Sequence, residues 1–226
     1  MQLARWSFPV GVLGCNCTIV ACPETRQALV VDPGGDAERI LGVLTDQALT
    51  VVDIVHTHAH FDHVLATAEV AAAHPQAGVV VHRDDRWLWD NVATQLGFFG
   101  FDLPSGGGPP LPPRPTRELT VDATLPFGRR EARALHTPGH TPGSVCFYVE
   151  AAPGDTPLLV AGDTLFKQSI GRTDLWGGSM EAIARSIRDK LLALPDDTQV
   201  VTGHGPETSI GAERRANPFI ADILGR

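Results

Sequence analysis

Cysteine, basic residues and long apolar runs are all scarce in this sequence of 226 residues. Its four cysteines, Cys15, Cys17, Cys22 and Cys146, form no CxxC pair and no dense disulfide pattern, so we expect reduced thiols and a cytoplasmic protein. Lysine and arginine number 18 against 26 acidic residues, and the formal net charge of −8 argues against a nucleic-acid partner. No apolar stretch reaches the length of a membrane span, so we expect no membrane partner either.

Histidine, by contrast, is concentrated at one place. Residues 56–63 read HTHAHFDH and hold four of the nine histidines, His56, His58, His60 and His63, beside Asp62. An even distribution would place only about 0.3 histidines in a window of this size. The concentration indicates a site built from imidazole side chains.

Short apolar runs typical of strands recur along the chain, and stretches with helical spacing lie between several of them. Ile183, Ile187 and Leu191, for example, recur at intervals of four behind Ser179, a residue type that often caps helices. The Ala-rich residues 62–74 begin at an acidic residue suited to a helix N-terminus. This alternation of strands and helices predicts an α/β fold.

A loop and an aromatic segment precede the second half of the chain. Residues 102–116 hold six prolines and three glycines, which predicts a surface loop. Just before it, Leu88, Val92 and Leu96 share one helical face and are followed by the aromatic-rich turn 97–101. Core packing explains this segment, but a pocket wall or a contact between copies of the chain would explain it as well.

Further residues that can bind metal follow strand-like runs. His140 comes after ARALHTPG, Asp163 after LLVAG and His204 after VVTG, while the histidine run itself follows VVDIV. Because ligands of open α/β sheets gather beyond the carboxyl ends of strands, we expect these residues to converge on one point.

The spacing within the histidine run suits two cations rather than one. His58 and His60 lie two apart on an extended segment and project to the same side, whereas Asp62 and His63 diverge enough to serve a second cation. The candidate ligands are too many for one tetrahedral zinc and fit two metals that share one carboxylate. They are His58, His60, Asp62, His63, His140, Asp163 and His204.

The run THAHFDH, with the later His140, Asp163 and His204, resembles the signature THxHxDH of the metallo-β-lactamase superfamily. The resemblance implies an αβ/βα sandwich of two mixed sheets flanked by helices, formed as one domain by residues 1–226. It assigns two divalent metal ions, Zn²⁺ in the first place, with iron or manganese as alternatives. His58, His60 and His140 would hold the first ion, Asp62, His63 and His204 the second, and Asp163 would bridge them. Asp62 would also be catalytic, because it orients the bridging hydroxide.

Within that superfamily, the segments TPGHTPGS, GDTLF, GRTD and ERRANPF resemble the short bacterial hydrolases of the glyoxalase II type. That resemblance implies hydrolysis of a small-molecule thioester, typified by S-D-lactoylglutathione. The bridging hydroxide would attack the acyl carbon, and the leaving thiolate would need little protonation.

The chain departs from the glyoxalase II pattern where that family binds glutathione. Only 22 residues follow His204, so we expect no helical C-terminal domain that grips glutathione. Arg172 matches the family's basic substrate-binding position, but Asp174 and Pro206 stand where the family has tyrosines. We therefore expect weakened recognition of glutathione, and the thiol half of the substrate stays open.

Other functions fit parts of the pattern. A persulfide dioxygenase, which resembles the chain in GRTD and in all seven ligand positions, would hold a single iron and consume oxygen. True β-lactamases are exported, whereas we expect no signal peptide in this protein. A metal-binding protein without catalysis is disfavoured, since structural zinc sites are closed and usually rich in cysteine. A homo-oligomer is compatible with the sequence.

Overall fold

The computed structural model describes residues 2–101 and 110–225 of the chain. Its first sheet is mixed, because an antiparallel meander of three strands is extended by three strands that run parallel to the last of them. In spatial order, which is also chain order, the strands are β1 (Ala4–Val10), β2 (Cys15–Ala21), β3 (Gln27–Val31), β4 (Thr50–Val55), β5 (Gly78–His82) and β6 (Arg117–Leu119).

The second sheet is also mixed, with one parallel pair among antiparallel neighbours. Its six strands are β7 (Ala123–Phe127), β8 (Arg130–His136), β9 (Val145–Val149), β10 (Leu158–Gly162), β13 (Gln199–Thr202) and β14 (Thr208–Ser209). A separate short hairpin consists of β11 (Leu165–Phe166) and β12 (Ser169–Ile170). The spatial order β14-β13-β10-β9-β8-β7 makes β10 and β13 the parallel pair.

Helices cover the outer faces of both sheets. Ser179 caps the helix that the spacing predicts behind it, since its side chain accepts a hydrogen bond from the Ala182 N–H, and the helix continues as a π-turn over Ile187–Leu191. The helices are α1 (Ala37–Asp46), α2 (Phe61–Val64), α3 (Thr67–Ala73), α4 (Arg86–Trp89), α5 (Val92–Phe98), α6 (Met180–Ser186), α7 (Ile210–Ala216) and α8 (Pro218–Ile223), with a 3₁₀ turn at Arg83–Asp85.

The single helix predicted over residues 62–74 is wrong, because the structure divides it into α2 and α3. The break comes from a contact with another loop, because the Ala66 N–H donates to the carbonyl of Pro33 instead of to a carbonyl one turn earlier in the helix. This interruption ends α2 directly after the aspartate and histidine of the motif.

Three apolar clusters hold the layers together. The cluster between the two sheets includes Leu29 and Val55 from the first sheet and Phe127 and Phe147 from the second. Another lies between the first sheet and its helices, and the third lies between the second sheet and α6 with α8. Burial of apolar surface on both faces of each sheet fixes this arrangement of four layers. The predicted αβ/βα sandwich is confirmed.

The structure tests the prediction for the aromatic segment and part of the prediction for the proline-rich loop. Leu88, Val92 and Leu96 are buried in the cluster beneath the first sheet, as core packing predicts. Of the predicted loop 102–116, residues 102–109 lie outside the described residues, and residues 110–116 form neither helix nor strand.

The assignment of residues 1–226 to one domain stays a prediction. Among residues 2–101 and 110–225, no helix is long and apolar enough to cross a membrane.

Candidate metal centre

Loops that leave the strands of both sheets bring the seven predicted ligands together. The segment after β4 supplies His58, His60, Asp62 and His63, the loop after β8 supplies His140, and residues directly after β10 and β13 supply Asp163 and His204. His56, the remaining histidine of the run, is buried apart from them and bonds through its ring nitrogens to the Val80 carbonyl and the Thr67 hydroxyl.

Three imidazole nitrogens meet at the first half of the site. His140 Nε2 lies 3.2 Å from His58 Nε2 and 2.9 Å from His60 Nδ1. The Nδ1–H of His140 donates to the carbonyl of Arg172 at 2.8 Å, which leaves a lone pair on Nε2 of the neutral ring.

The ring of His58 is fixed in the same way. Thr57 Oγ1 donates to Asp32 Oδ2 at 2.6 Å and therefore accepts from His58 Nδ1–H, 3.0 Å away. Lone pairs of His58 and His140 thus face each other across a buried space, and they repel unless a cation lies between them.

Electrostatics keep two of these rings, those of His58 and His60, neutral. Burial, together with the neighbouring imidazoles, holds the pKa of His58 well below its ordinary value and lowers the pKa of His60 to about 3. Neutral imidazole is the form that binds a metal ion, so the first triad is prepared for one.

The second half of the site combines a carboxylate with two imidazoles. His204 Nε2 lies 3.1 Å from Asp62 Oδ2 and 3.2 Å from His63 Nε2. His63 donates its Nδ1–H to Asp32 Oδ2 at 3.0 Å, and His204 donates its Nδ1–H to the Leu13 carbonyl at 3.1 Å, so both Nε2 atoms face the cluster. Burial lowers the pKa of both imidazoles, but neighbouring acidic groups, Asp62 and Asp163 among them, outweigh it and raise the pKa of both above its ordinary value. A cation that binds here therefore displaces a proton from Nε2. Burial alone would raise the pKa of Asp62, but His63 and His204 lower it below its ordinary value.

Asp163 lies between the two triads. Its Oδ2 is 3.6 Å from His140 Nε2, and its Oδ1 is 3.6 Å from His63 Nε2 and 3.9 Å from His204 Nε2. Oδ1 is buried and has no hydrogen-bond partner. A buried carboxylate oxygen without a donor is costly, and a bridging cation would remove that cost. The donor set and the orphaned oxygen both fit a pair of divalent ions.

Two buried aspartates that the motif does not reveal support the ligands. Asp32 accepts hydrogen bonds from the Thr57 N–H, the Thr57 hydroxyl and His63 Nδ1, so it orients one ligand of each triad. Its position directly after the run ALVV, at the end of β3, is a signal that the sequence contains.

Asp85 connects two ligand loops. Its carboxylate accepts from the Ala59 N–H, the Thr141 hydroxyl and the Gly143 N–H, at 3.0, 2.7 and 2.6 Å. Burial raises the pKa of Asp85 to about 6, although these three hydrogen bonds lower it. No pattern in the sequence distinguishes Asp85 from the adjacent Asp84.

The cluster opens into a pocket of about 150 Å³. Arg172, the predicted substrate-binding residue, lies at this pocket, and its guanidinium makes a two-point ion pair with Asp174 at 2.7 and 2.8 Å. The lining consists of Leu13, His60, Phe61, Asp62, Phe99, His140, Asp163, Arg172, Leu175 and His204. Pro206, the other departure from the glyoxalase II pattern, does not line it.

Comparison with known proteins agrees with this geometry. Residues 10–204 match the family described as the metallo-beta-lactamase superfamily. Hydroxyacylglutathione hydrolase GloC of Haemophilus influenzae is 33% identical over 228 residues, covering 94% of this chain and 96% of that protein. The crystal structure of BLEG-1 B3 metallo-beta-lactamase superposes with a TM-score of 0.83 at 37% identity, covering 96% of this chain and 99% of that one. The structure of TTHA1623 in a di-iron-bound form gives a TM-score of 0.80 at 36% identity, with 95% and 99% covered.

Proposed function

Because the chain belongs to the metallo-β-lactamase superfamily and is a metal-dependent enzyme, we propose that it hydrolyses small acyl thioesters, as glyoxalase II does. His58, His60 and His140 would hold one ion and Asp62, His63 and His204 the other, with Asp163 shared. When bound, two divalent ions would supply a hydroxide nucleophile at neutral pH and positive charge for the developing oxyanion. Zinc is our first choice of metal, with iron or manganese as alternatives.

The protein's own groups define what surrounds the reacting carbonyl. The side chains of Asp62 and Asp163 carry the negative charge of the ligand set, which is less than two divalent ions supply. With both ions bound, the site would keep a positive charge that favours an oxyanion. Asp62 lines the pocket beside His204, and this position supports the proposal that its carboxylate would orient the nucleophile.

The observation that carries the thioester assignment is the absence of a proton donor among the described lining residues outside the ligand set. Those residues are Leu13, Phe61, Phe99, Leu175 and Arg172, and a guanidinium does not release its proton near neutral pH. A thiolate leaves without help because a thiol is a far stronger acid than an amine, whereas an amide nitrogen has to be protonated as it leaves. The site suits thioesters better than amides.

Hydrolysis of β-lactams is the second candidate, since BLEG-1 is described as a B3 metallo-beta-lactamase. The leaving group of that reaction is an amide nitrogen, which the pocket is poorly equipped to protonate. The two candidates therefore differ in one testable requirement, the protonation of the leaving group.

A direct assay separates them. Zinc- or manganese-loaded protein is assayed with S-D-lactoylglutathione, with a simple acetyl thioester and with a chromogenic cephalosporin, and Asp163→Asn provides the matched control. We expect kcat/KM for at least one thioester to exceed that for the cephalosporin by at least about a hundredfold, the scale of one missing catalytic contributor. Faster cleavage of the cephalosporin than of both thioesters would refute the proposal.

A further inference from the structure

Exposed apolar side chains lie at the metal pocket, which Leu13 and Phe99 line, and at the residues next to these two in the chain. Val12 and Leu13, in the turn between β1 and β2, have exposed fractions of 72% and 48%. Phe98 and Phe99, at the end of α5, have exposed fractions of 67% and 38%. Apolar surface of this kind is costly in water, and its concentration beside a pocket marks a binding surface.

Phe98, Phe99 and Trp176 form an aromatic wall that reaches the metal ligands. The ring of Trp176 lies 5.0 Å from that of Phe98 and 6.1 Å from that of Phe99, and the rings of Phe98 and Phe99 are 5.2 Å apart. The wall is continuous with the first triad, because the ring of Trp176 is 6.3 Å from that of His60. A substrate group bound beside that triad would contact aromatic surface.

The opposite end of the pocket is apolar as well. Leu13 lines the pocket on the side of the second triad, where its carbonyl accepts the hydrogen bond of His204. Apolar side chains thus stand next to both triads.

No unpaired lysine or arginine lines this pocket among the described residues. Arg172 is the one lysine or arginine of the described lining, and both of its donor positions on Nε and Nη2 are taken by Asp174. Residues 102–109, DLPSGGGP, contain no lysine, arginine or histidine. Glutathione carries two carboxylates, which a binding site normally meets with arginine or lysine.

We infer that this pocket prefers a thioester with an apolar, uncharged group next to the carbonyl, on either the acyl or the thiol side. A thioester of glutathione would be the poorer substrate. The inference rests on the proposed thioester hydrolysis and adds the substrate class. The aromatic wall would take up the apolar group while the metal centre acts on the carbonyl.

A series of matched substrates tests this. The metal-loaded protein is assayed with acetyl, butyryl, hexanoyl and phenylacetyl thioesters of N-acetylcysteamine, then with acetyl thioesters of thiols of increasing length, and with S-D-lactoylglutathione. We expect kcat/KM to rise about fourfold per added CH₂ in one of the two series, the factor that corresponds to burying one methylene group. The series that rises identifies the side of the carbonyl that carries the apolar group.

Variants of the aromatic wall test whether it causes the dependence of kcat/KM on chain length. Phe98→Ala and Phe99→Ala should each flatten the dependence on chain length, and Phe98→Ala is the safer variant because its side chain is the more exposed. Phe219→Ala removes an aromatic ring of 41% exposure from α8, away from the pocket, and should retain both the slope and the rate.

The possible outcomes distinguish a failure of the inferred substrate class from a failure of the proposed thioester hydrolysis. If no thioester is cleaved, the proposed function itself fails. If S-D-lactoylglutathione is cleaved with the highest kcat/KM and both series are flat, the function stands and the apolar substrate class is wrong. If Phe98→Ala changes the oligomeric state while the slope persists, the wall is a contact between copies of the chain, and the inference is equally wrong.

Discussion

The carboxylate of Asp85 accepts a hydrogen bond of 3.0 Å from the backbone N–H of Ala59, the residue between two predicted ligands. The same carboxylate binds Thr141 and Gly143, in the loop of a third ligand. Asp85 therefore holds the loops of the first triad in register, and it is a positioning residue outside the predicted ligand set.

Asp85→Asn should weaken metal binding at the first triad. An amide places an N–H₂ group against at least one of three donors, so the loops separate or one donor is left without a partner. We expect the affinity of the first site to fall about 10- to 100-fold, the range observed for residues that support metal ligands. Titration against a chromophoric chelator measures it, with Asp84→Asn, a change at the exposed neighbour, as the control. An unchanged affinity would show that Asp85 does not position the ligands.

The burial of Asp85 also predicts a dependence of stability on pH in the metal-free protein. Its pKa is raised from 3.8 to about 6, so the folded state binds a proton that the unfolded state releases within this window. The free energy of unfolding should therefore decrease as the pH rises from 4 to 6, by on the order of 2 kcal/mol from this group. Denaturant unfolding at several pH values, compared with Asp85→Asn, isolates the contribution. Parallel profiles for the two proteins would contradict it.

The metal content should be close to two ions per chain, since two triads meet at Asp163. Asp163→Asn should lower the occupancy of both sites, whereas His204→Ala should preferentially empty the second, because it removes one of the three ligands there. Elemental analysis after dialysis measures both. One tightly held ion per chain, unchanged in His204→Ala, would refute the binuclear centre.

Arg172 should contribute little to substrate affinity while Asp174 holds its guanidinium. We expect Arg172→Ala to change the KM for S-D-lactoylglutathione less than about twofold, since the charge is already paired. Asp174→Ala should lower that KM, because it frees the guanidinium for a substrate carboxylate. A large rise in KM with an unchanged kcat for Arg172→Ala would instead assign Arg172 to substrate binding, as the family resemblance implies.

The convergence of the candidate ligands follows from the sequence, because each of them comes after a strand. His140, Asp163 and His204 are far apart in the chain, yet strand ends from the second sheet place them beside the motif that follows β4. The α/β class follows from the same alternation of apolar runs, which is a local property.

Features that depend on contacts between distant loops could not be predicted. The sequence around Asp85 looks like that of many acidic residues at the start of a helix. Its role in positioning the ligand loops depends on the loop around Gly143, which is distant in the chain. The break between α2 and α3 depends on the Pro33 carbonyl, from a different loop. The sequence could not decide whether the segment around α5 packs in the core, lines a pocket or contacts another copy of the chain. Periodicity shows that a helix face is apolar without showing what covers it.

The most direct test of the account compares hydrolysis with oxygen consumption in the intact protein and in Asp62→Ala. A hydrolase needs the second triad, whereas a persulfide dioxygenase with a single iron does not. We expect the zinc- or manganese-loaded protein to cleave an acyl thioester near neutral pH, and Asp62→Ala to lower kcat at least about a hundredfold. We expect no oxygen uptake with glutathione persulfide, even after loading with iron. If the iron-loaded protein consumes oxygen with that substrate and leaves thioesters intact, the assignment as a thioester hydrolase is wrong.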